Sequence, residues 1–403
     1  MAKILLLNIS GEDKAGLTSS LTAILSEYDV EILDIGQAVI HNFLSLGLLV
    51  NIPEKEESSP VLEKFLFRAH ELGLTVKFTP ISVQQYDNWV SAENKSRFVL
   101  TILGRELNAS EISSVTEVIA AFGLNIDVIT RMSCRRPIAK YIDSECYCVE
   151  FAISGDIDDT GEIQSRLLDI SNTSGIDIAF QADDLYRRNR RLIAFDMDST
   201  LIQAEVIDEL ARAHGVLEEV SAITSAAMRG EIDFTESLKR RVKLLEGLDV
   251  SVLQQIADGL VLSEGAEKLS RILKALGYKL AILSGGFSFF GERLKDRLGF
   301  DYVYTNELEI QDGRLSGRCL GRIVDGQRKA ELLSELAIKE GIKLEQTIAV
   351  GDGANDLPML SAAGLGIAFH AKPIVKSRVK HSISTLGLDA LLYFLGIRER
   401  ERA

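Results

Sequence analysis

Leu192-Ile193-Ala194-Phe195-Asp196-Met197-Asp198-Ser199-Thr200 is an apolar run that stops abruptly in two carboxylates one residue apart. Four apolar residues in succession suit a strand covered on both faces, as in parallel sheets. Ionised carboxylates at the edge of a core are costly unless a cation or dense hydrogen bonding meets them. A strand ending in Asp196 and Asp198 therefore reads as a place of chemistry.

Further apolar runs follow, Lys279–Leu283, Thr347–Val350 and Gly366–Phe369, each separated from the next by helical stripes. That alternation predicts an α/β fold with a doubly wound parallel sheet, whose ligands bind outside the carboxyl ends of the strands. Every conspicuous polar cluster falls at such an end. Asp196, screened by a divalent cation, is a nucleophile toward phosphorus, and Asp198 can protonate a leaving alkoxide and then activate water. Ser284-Gly285-Gly286-Phe287 offers a hydroxyl and glycine amides to phosphate oxygens. Lys329 opens a helix as an isolated cation. Gly351-Asp352-Gly353-Ala354-Asn355-Asp356 again ends a strand in carboxylates and suits a hard Mg²⁺ ion with oxygen ligands. Each signal alone is also found in ordinary turns and surfaces; together and in order they specify a site.

The composition narrows the classes. With 403 residues, 46% of them apolar, the chain can build two to three packed domains. A net charge of −14, from 45 basic against 59 acidic residues, repels nucleic acid and anionic membranes, so neither is expected as a partner. Met1 to Leu7 lacks a signal-peptide core and no window reaches membrane-spanning length, which predicts a cytoplasmic protein. Cys134, Cys146, Cys148 and Cys319 lack metal-ligand spacing and read as reduced thiols, with Cys146 and Cys148 on one face of a strand.

Shifting the first ninety residues by 94 positions superposes Ile4–Leu7 on Phe98–Thr101. The same shift lays the helical stripe Leu17, Leu21, Ile24, Leu25 near Ile112, Val115, Ile119, Phe122, and Val30, Ile32, Ile35 on Leu124, Ile126, Ile129. A third strand (Phe43–Ile52; Tyr147–Ile153), a second helix and a fourth strand (Leu74–Phe78; Ile176–Phe180) complete each copy, with about ten extra residues around Arg135-Arg136-Pro137 in the second. Each copy reads β-α-β-β-α-β, the ferredoxin-like α+β sandwich. The pattern resembles the ACT family of small-molecule-binding regulatory modules. Domains are expected at 1–90 and 95–183, then a solvated basic linker at 184–191 and a catalytic domain at 192–398. The resemblance implies an amino-acid effector, L-serine being the natural choice, near Asp13 and Gly16 of Asp13-Lys14-Ala15-Gly16 and near Asn108. The second copy carries Leu107 and Ser110 where the first has Asp13 and Gly16, so its own loop departs from the pattern. Exposed sheet edges of the two modules predict a homodimer.

From about residue 190 to 398 the ordered clusters resemble the haloacid-dehalogenase superfamily of phosphohydrolases. Residues 206–261, helical in pattern, would then form a cap over the phosphate site. Glu205, Met228, Phe234 and Arg241 resemble the pattern of the phosphoserine phosphatases within that superfamily. By that resemblance the substrate is O-phospho-L-serine, Glu205 receives its ammonium, Arg241 clamps its carboxylate, and Met228 with Phe234 exclude water. The resemblance also implies Mg²⁺ held by Asp196, the main-chain carbonyl of Asp198 and Asp352. Asp196 would attack phosphorus to form an aspartyl phosphate, and Asp198 would act as acid and then base. Ser284, Gly285, Lys329 and Asn355 would hold the phosphoryl group, with Asp356 orienting Lys329. Transfer of the phosphoryl group to another alcohol such as homoserine, or an amino-acid sensor with an inactive phosphatase domain, are the other readings open to this sequence.

Overall fold

The apolar runs behave as their periods require. The computed structural model describes residues 3–53, 58–91, 95–135 and 146–402; Arg136 and Pro137, in the inserted segment of the second copy, lie outside the described residues. Two units separate, 1–95 and 96–403.

In the first unit, β1 (Lys3–Glu12), β2 (Glu31–Ile40), β3 (Phe43–Ile52) and β4 (Thr75–Ile81) form an antiparallel sheet in the order β2-β3-β1-β4. Leu5, Leu7 and Ile9 point to one face of β1 at the period of a strand, and meet Leu17, Leu21, Ile24 and Leu25 of the helix Leu17–Glu27. Ile32 and Ile35 of β2 pair with the buried Val50 and Leu48 on the helix-covered face, yet are 40% and 50% exposed because β2 is the edge strand. The helix Val83–Ser91, with no buried residue, follows β4 and has no counterpart in the sequence reading.

The second unit repeats the pattern in β5 (Arg97–Gly104), β6 (Asn125–Arg131), β7 (Tyr147–Ser154) and β8 (Asp177–Ala182), in the order β6-β7-β5-β8. Here both faces are covered. Leu100 and Ile102 pack under the unit's own helices, while Leu103, Cys148 and Ala179 join the core of the large α/β domain. Asp177, with no exposed surface, accepts the Ser384 amide at 2.9 and 2.8 Å, and Gln181 Nε2 donates to the Phe394 carbonyl at 3.2 Å. The connector corrects an expectation. Arg187 and Arg190 are each only 5% exposed, and Arg187 donates to Glu150 at 2.6 Å. Arg188 and Arg191 stay exposed as a solvated linker requires, while Arg187 and Arg190 turn inward, so the connector is half solvated and half part of a buried junction.

The large domain holds β9 (Leu192–Phe195), β10 (Lys279–Phe287), β11 (Tyr302–Gln311), β12 (Arg314–Leu320), β13 (Thr347–Gly351), β14 (Leu365–Phe369) and β15 (His381–Ile383). Their order is β12-β11-β10-β9-β13-β14-β15, parallel except for β12, which turns back on β11 as an antiparallel edge. The sheet is therefore mixed, and β11, β12 and β15 join the four expected strands. Ile193, Phe195, Leu280, Ile282, Ile348 and Val350 face one layer; Leu192, Ala194, Ala281, Leu283 and Ala349 face the other. Four helices, Val206–His214, Leu217–Met228, Phe234–Lys243 and Ser251–Gly259, fill the span 206–261 between β9 and β10. Among the described residues no helix is long and apolar enough to cross a membrane.

Candidate active site

β9 is central in its sheet, with β10 and β13 as its two neighbours. The loops leaving these three strands therefore converge, and they carry the polar clusters found in the sequence. The Asp196 amide donates to the Val350 carbonyl at 2.9 Å, which ties the end of β9 to β13. Asp196 Oδ1 accepts the Met197 amide at 2.8 Å and lies 2.9 Å from Lys329 Nζ. Both bonds fall on Oδ1, so Oδ2 faces no hydrogen-bond donor among the described residues.

Lys329 is completely buried, on the first turns of the helix Gly326–Lys339, whose N-terminus is capped by Asp325. Its ammonium also donates to Asp356 Oδ1 at 2.6 Å. Burial alone pulls a lysine toward neutrality, but the Asp196 and Asp356 carboxylates outweigh it and raise its pKa. Asp356 Oδ2 accepts the Gly353 amide at 2.9 Å. A Cβ on Gly351 would come within 2.5 Å of Asp356 Oδ2, so a glycine is required where that carboxylate folds back against β13.

One ammonium serves four carboxyl groups. Asp196, Asp352 and Asp356 bring carboxylate oxygens within 4.8 Å of one another. Burial, then the charges of Asp196 and Asp356, push Asp352 up to about 8, and burial with Asp196 pushes Asp356 up to about 6. Asp198 is raised well above the carboxylate range, by burial first and then by Glu205 and Asp196, and its Oδ1 is buried without a partner. These shifts express uncompensated negative charge, and all the side-chain donors are hard oxygens. Such a cluster fits a divalent cation of the Mg²⁺ type. Both Asp356 oxygens are already engaged, which leaves Asp196 and Asp352 freer to hold one. Thr200 Oγ1 donates to Asp352 Oδ1 at 3.3 Å and steadies it.

Ser284, 1% exposed, ends the regular part of β10, and its Oγ accepts the Gly286 amide at 3.1 Å. A Cβ on Gly286 would sit 2.9 Å from Asp198 Oδ2, and one on Gly285 would sit 2.7 Å from Phe234 Cζ. These glycines thus let the loop approach Asp198 on one side and the ring of the cap residue Phe234 on the other. Asn306, which no motif announces, holds the loop from below: its amide donates to the Gly285 carbonyl at 2.8 Å and accepts the Val324 amide at 2.9 Å. Asn355 lies half-buried in the turn Ala354–Asp356 beside Gly353.

From the cap side, Glu205 stands at the N-cap of the helix Val206–His214 and takes a 2.8 Å hydrogen bond from Ser199 Oγ. Its outer edge is open to solvent, yet the protein packed round its carboxyl, together with Asp196 and Asp208, raises its pKa. Arg241 is lowered by burial, against the pull of Glu205, Asp208 and Asp198, and bonds the Ser237 carbonyl at 3.4 Å and Thr224 Oγ1 at 3.5 Å. Met228, at the end of its helix, is 63% exposed, with Lys372 Nζ 3.9 Å from its sulfur. The fold thus brings Asp196, Asp198, Glu205, Phe234, Arg241, Ser284, Gly285, Lys329, Asp352 and Asp356 together, while Met228 stays on the cap surface. The sequence reading passed over Ser199, Thr200, Asp208 and Asn306; only the i, i+3 spacing of Glu205 and Asp208 at a helix start hinted at any of them.

Away from this site, Gly16 has φ 88° and caps the helix Leu17–Glu27, while the exposed Asp13 donates its amide to the Asn42 carbonyl at 2.8 Å. Asn108 caps the helix Ala109–Ala121, its amide held by Glu111 at 2.6 Å.

Residues 3–79 and 96–181 each match the ACT domain family, and residues 190–364 match the haloacid dehalogenase-like hydrolases. Phosphoserine phosphatase SerB2 of Mycobacterium tuberculosis is 40% identical over 397 residues, 98% of this chain and 94% of that protein. The phosphoserine phosphatase of Streptomyces coelicolor is 41% identical over 397 residues, 98% of this chain and 93% of that protein. Among solved structures, a hydrolase of the haloacid-dehalogenase family from Salmonella enterica serovar Typhi superposes with a TM-score of 0.63 at 32% identity, covering 74% of this chain and 98% of its own. With two ACT domains ahead of a haloacid dehalogenase-like domain, and relatives this similar along nearly their whole length, the chain belongs to the phosphoserine phosphatase family.

Proposed function

We propose that the protein hydrolyses O-phospho-L-serine to L-serine and phosphate, with Asp196 as nucleophile and Asp198 as acid and base. The observation that carries this reading is the pairing of two unlike surfaces over one loop. On the sheet side stand Asp196, Ser284 and Lys329, a set for a phosphoryl group; on the cap side stand Glu205 and Arg241, a set for an ammonium and a carboxylate.

Asp196 Oδ2, the oxygen without a donor, attacks phosphorus as the bond to the serine oxygen breaks. Asp198, whose raised pKa keeps a proton available, gives it to that leaving oxygen. The resulting aspartyl phosphate is then hydrolysed by a water from which Asp198 takes a proton, restoring both carboxyl groups. Lys329 and Ser284 meet the equatorial oxygens of the transferring group, Asn355 helps position them, and Asp356 holds the lysine in place. Asp196, Asp352 and the carbonyl of Asp198 would hold Mg²⁺, which supplies positive charge to the phosphoryl oxygens. Phe234, set against Gly285, keeps water from the ester, a role that the exposed Met228 does not share.

The ACT domains support regulation by an amino acid, with L-serine as effector near Asp13, Gly16 and Asn108. The open edge strand β2, with its exposed isoleucines, supports a homodimer. Four unpaired cysteines support a cytoplasmic setting. Phosphate release from O-phospho-L-serine, measured with Mg²⁺ or a chelator and with homoserine added as acceptor, tests the core reading. Metal-dependent release that homoserine does not divert is expected; stoichiometric phosphohomoserine would make the protein a transferase. Titrating the full chain with L-serine by calorimetry, alongside its turnover, tests the regulatory part, and a heat of binding coupled to a change in rate is expected.

A further inference from the structure

Ser199 lies between Asp198 and Thr200 with φ 56°, in the left-handed region that residues bearing a Cβ avoid. Strain of this kind persists where the surroundings impose it. Two bonds impose it here. The Ser199 amide donates to the Ala204 carbonyl at 3.2 Å, closing the loop that brings the chain back to Glu205, and its hydroxyl donates to Glu205 Oε1 at 2.8 Å. Glu205, although it stands at the N-cap of the next helix, makes no side-chain bond to that helix's amides. Its carboxylate is turned toward the loop of the nucleophile instead. A glutamate so near the surface has several rotamers open to it, and the bond from Ser199 selects one.

We propose that Ser199 is a positioning residue: through its strained backbone and its hydroxyl it sets the Glu205 carboxylate where the substrate's ammonium arrives. The inference rests on the phosphoserine reading given above. The hydroxyl occupies one lone pair of Oε1 and leaves Oε2 and the rest of Oε1 for the ammonium, so the carboxylate keeps its charge while losing its freedom. Ser199 itself need touch neither the phosphoryl group nor the ammonium. Its effect therefore belongs to recognition of the amino group, and not to attack on phosphorus.

The test compares two esters that differ only in that amino group, O-phospho-L-serine and 3-phosphonooxypropanoate, with the full-length protein and its Ser199→Ala and Ser199→Gly variants. The glycine variant relieves the backbone while removing the hydroxyl, so it separates strain from positioning. Both variants are expected to raise KM for phosphoserine about tenfold with kcat within about twofold, and to change kcat/KM for the deamino ester by less than about twofold. Equal losses on both esters, or a glycine variant with unchanged KM for phosphoserine, would overturn the role of Ser199. A parent protein that handles both esters equally well would overturn the phosphoserine reading itself, and is told apart because it needs no variant.

Discussion

Lys329 has no exposed surface and two carboxylates within 2.9 Å. A lysine in that position is part of the fold and part of the site at once, because removing it strands Asp196 and Asp356 as buried charges facing each other. Lys329→Met should therefore lower stability by about 3–5 kcal/mol, read by urea unfolding, besides abolishing turnover. Asp196→Asn is different: it conserves volume and keeps Oδ1 as an acceptor for Lys329 and Met197. Its expected outcome is a loss of turnover of about a thousandfold or more, with an unfolding midpoint within a few degrees of the parent. Near-normal turnover in the Asp196→Asn variant would exclude covalent catalysis by this residue. Both residues stand at positions legible in the sequence, since Asp196 ends an apolar run and Lys329 opens a helix. The pairing of Lys329 with Asp356 was expected through the family resemblance alone, because the two are 27 positions apart and only the packing of their elements brings them together.

At the scale of elements, the site depends on how the loop after Leu283 is held. Parallel strands deliver their carboxyl ends to one edge, and β10 there breaks register with β11 between Leu283 and Phe287. Ser284, Gly285 and Gly286 occupy that break. Asn306, 2% exposed on β11, bridges the Gly285 carbonyl and the Val324 amide and so couples the phosphate loop to the start of the segment leading to Lys329. Asn306→Ala leaves two buried backbone groups without partners, a loss of about 2 kcal/mol. Circular dichroism melting should show the lower midpoint, and kcat should fall about tenfold as the loop loosens. Strand existence was legible here from apolar runs; β11 and β12 were not, because Tyr302–Gln311 mixes polar residues into its run and its edge partner β12 alternates weakly.

At the scale of the molecule, the second ACT domain and the large domain share a core. His381 lies in that shared region, 7% exposed on β15, its ring 6.4 Å from that of Phe394 and its Nδ1 without a partner. Burial first, then the positive charges of Arg190 and Lys380, push its pKa down to about 3. The unfolded chain takes up a proton below its ordinary value of about 6.5, and the folded chain does not. The stability this ring contributes is thus complete above that value and drains away as the pH falls toward 3, by about 2 kcal/mol at pH 5. Urea unfolding at pH 7.5 and pH 5 is expected to reveal that loss, and His381→Phe should remove this part of it. The buried arginines of the connector belong to the same junction, so a reading of Leu185–Arg191 as a charged and solvated stretch holds for Arg188 and Arg191 and fails for Arg187 and Arg190.

The linear order of residues was enough to determine the periods, the duplication of the ACT unit, the strand ends and the residues placed on them, because hydrophobic repeat and chain reversal are local properties. It also carried the cap residues Glu205, Phe234 and Arg241, through their resemblance to one family. Only the tertiary structure decided which surfaces meet: that β5 is covered on both faces while β1 is not, that Arg187 and Arg190 are buried, that Asn306 braces a loop twenty-one positions away in sequence, and that Ser199 holds Glu205. Burial and charge compensation depend on partners that the chain supplies from elsewhere, and no local pattern of residues encodes them.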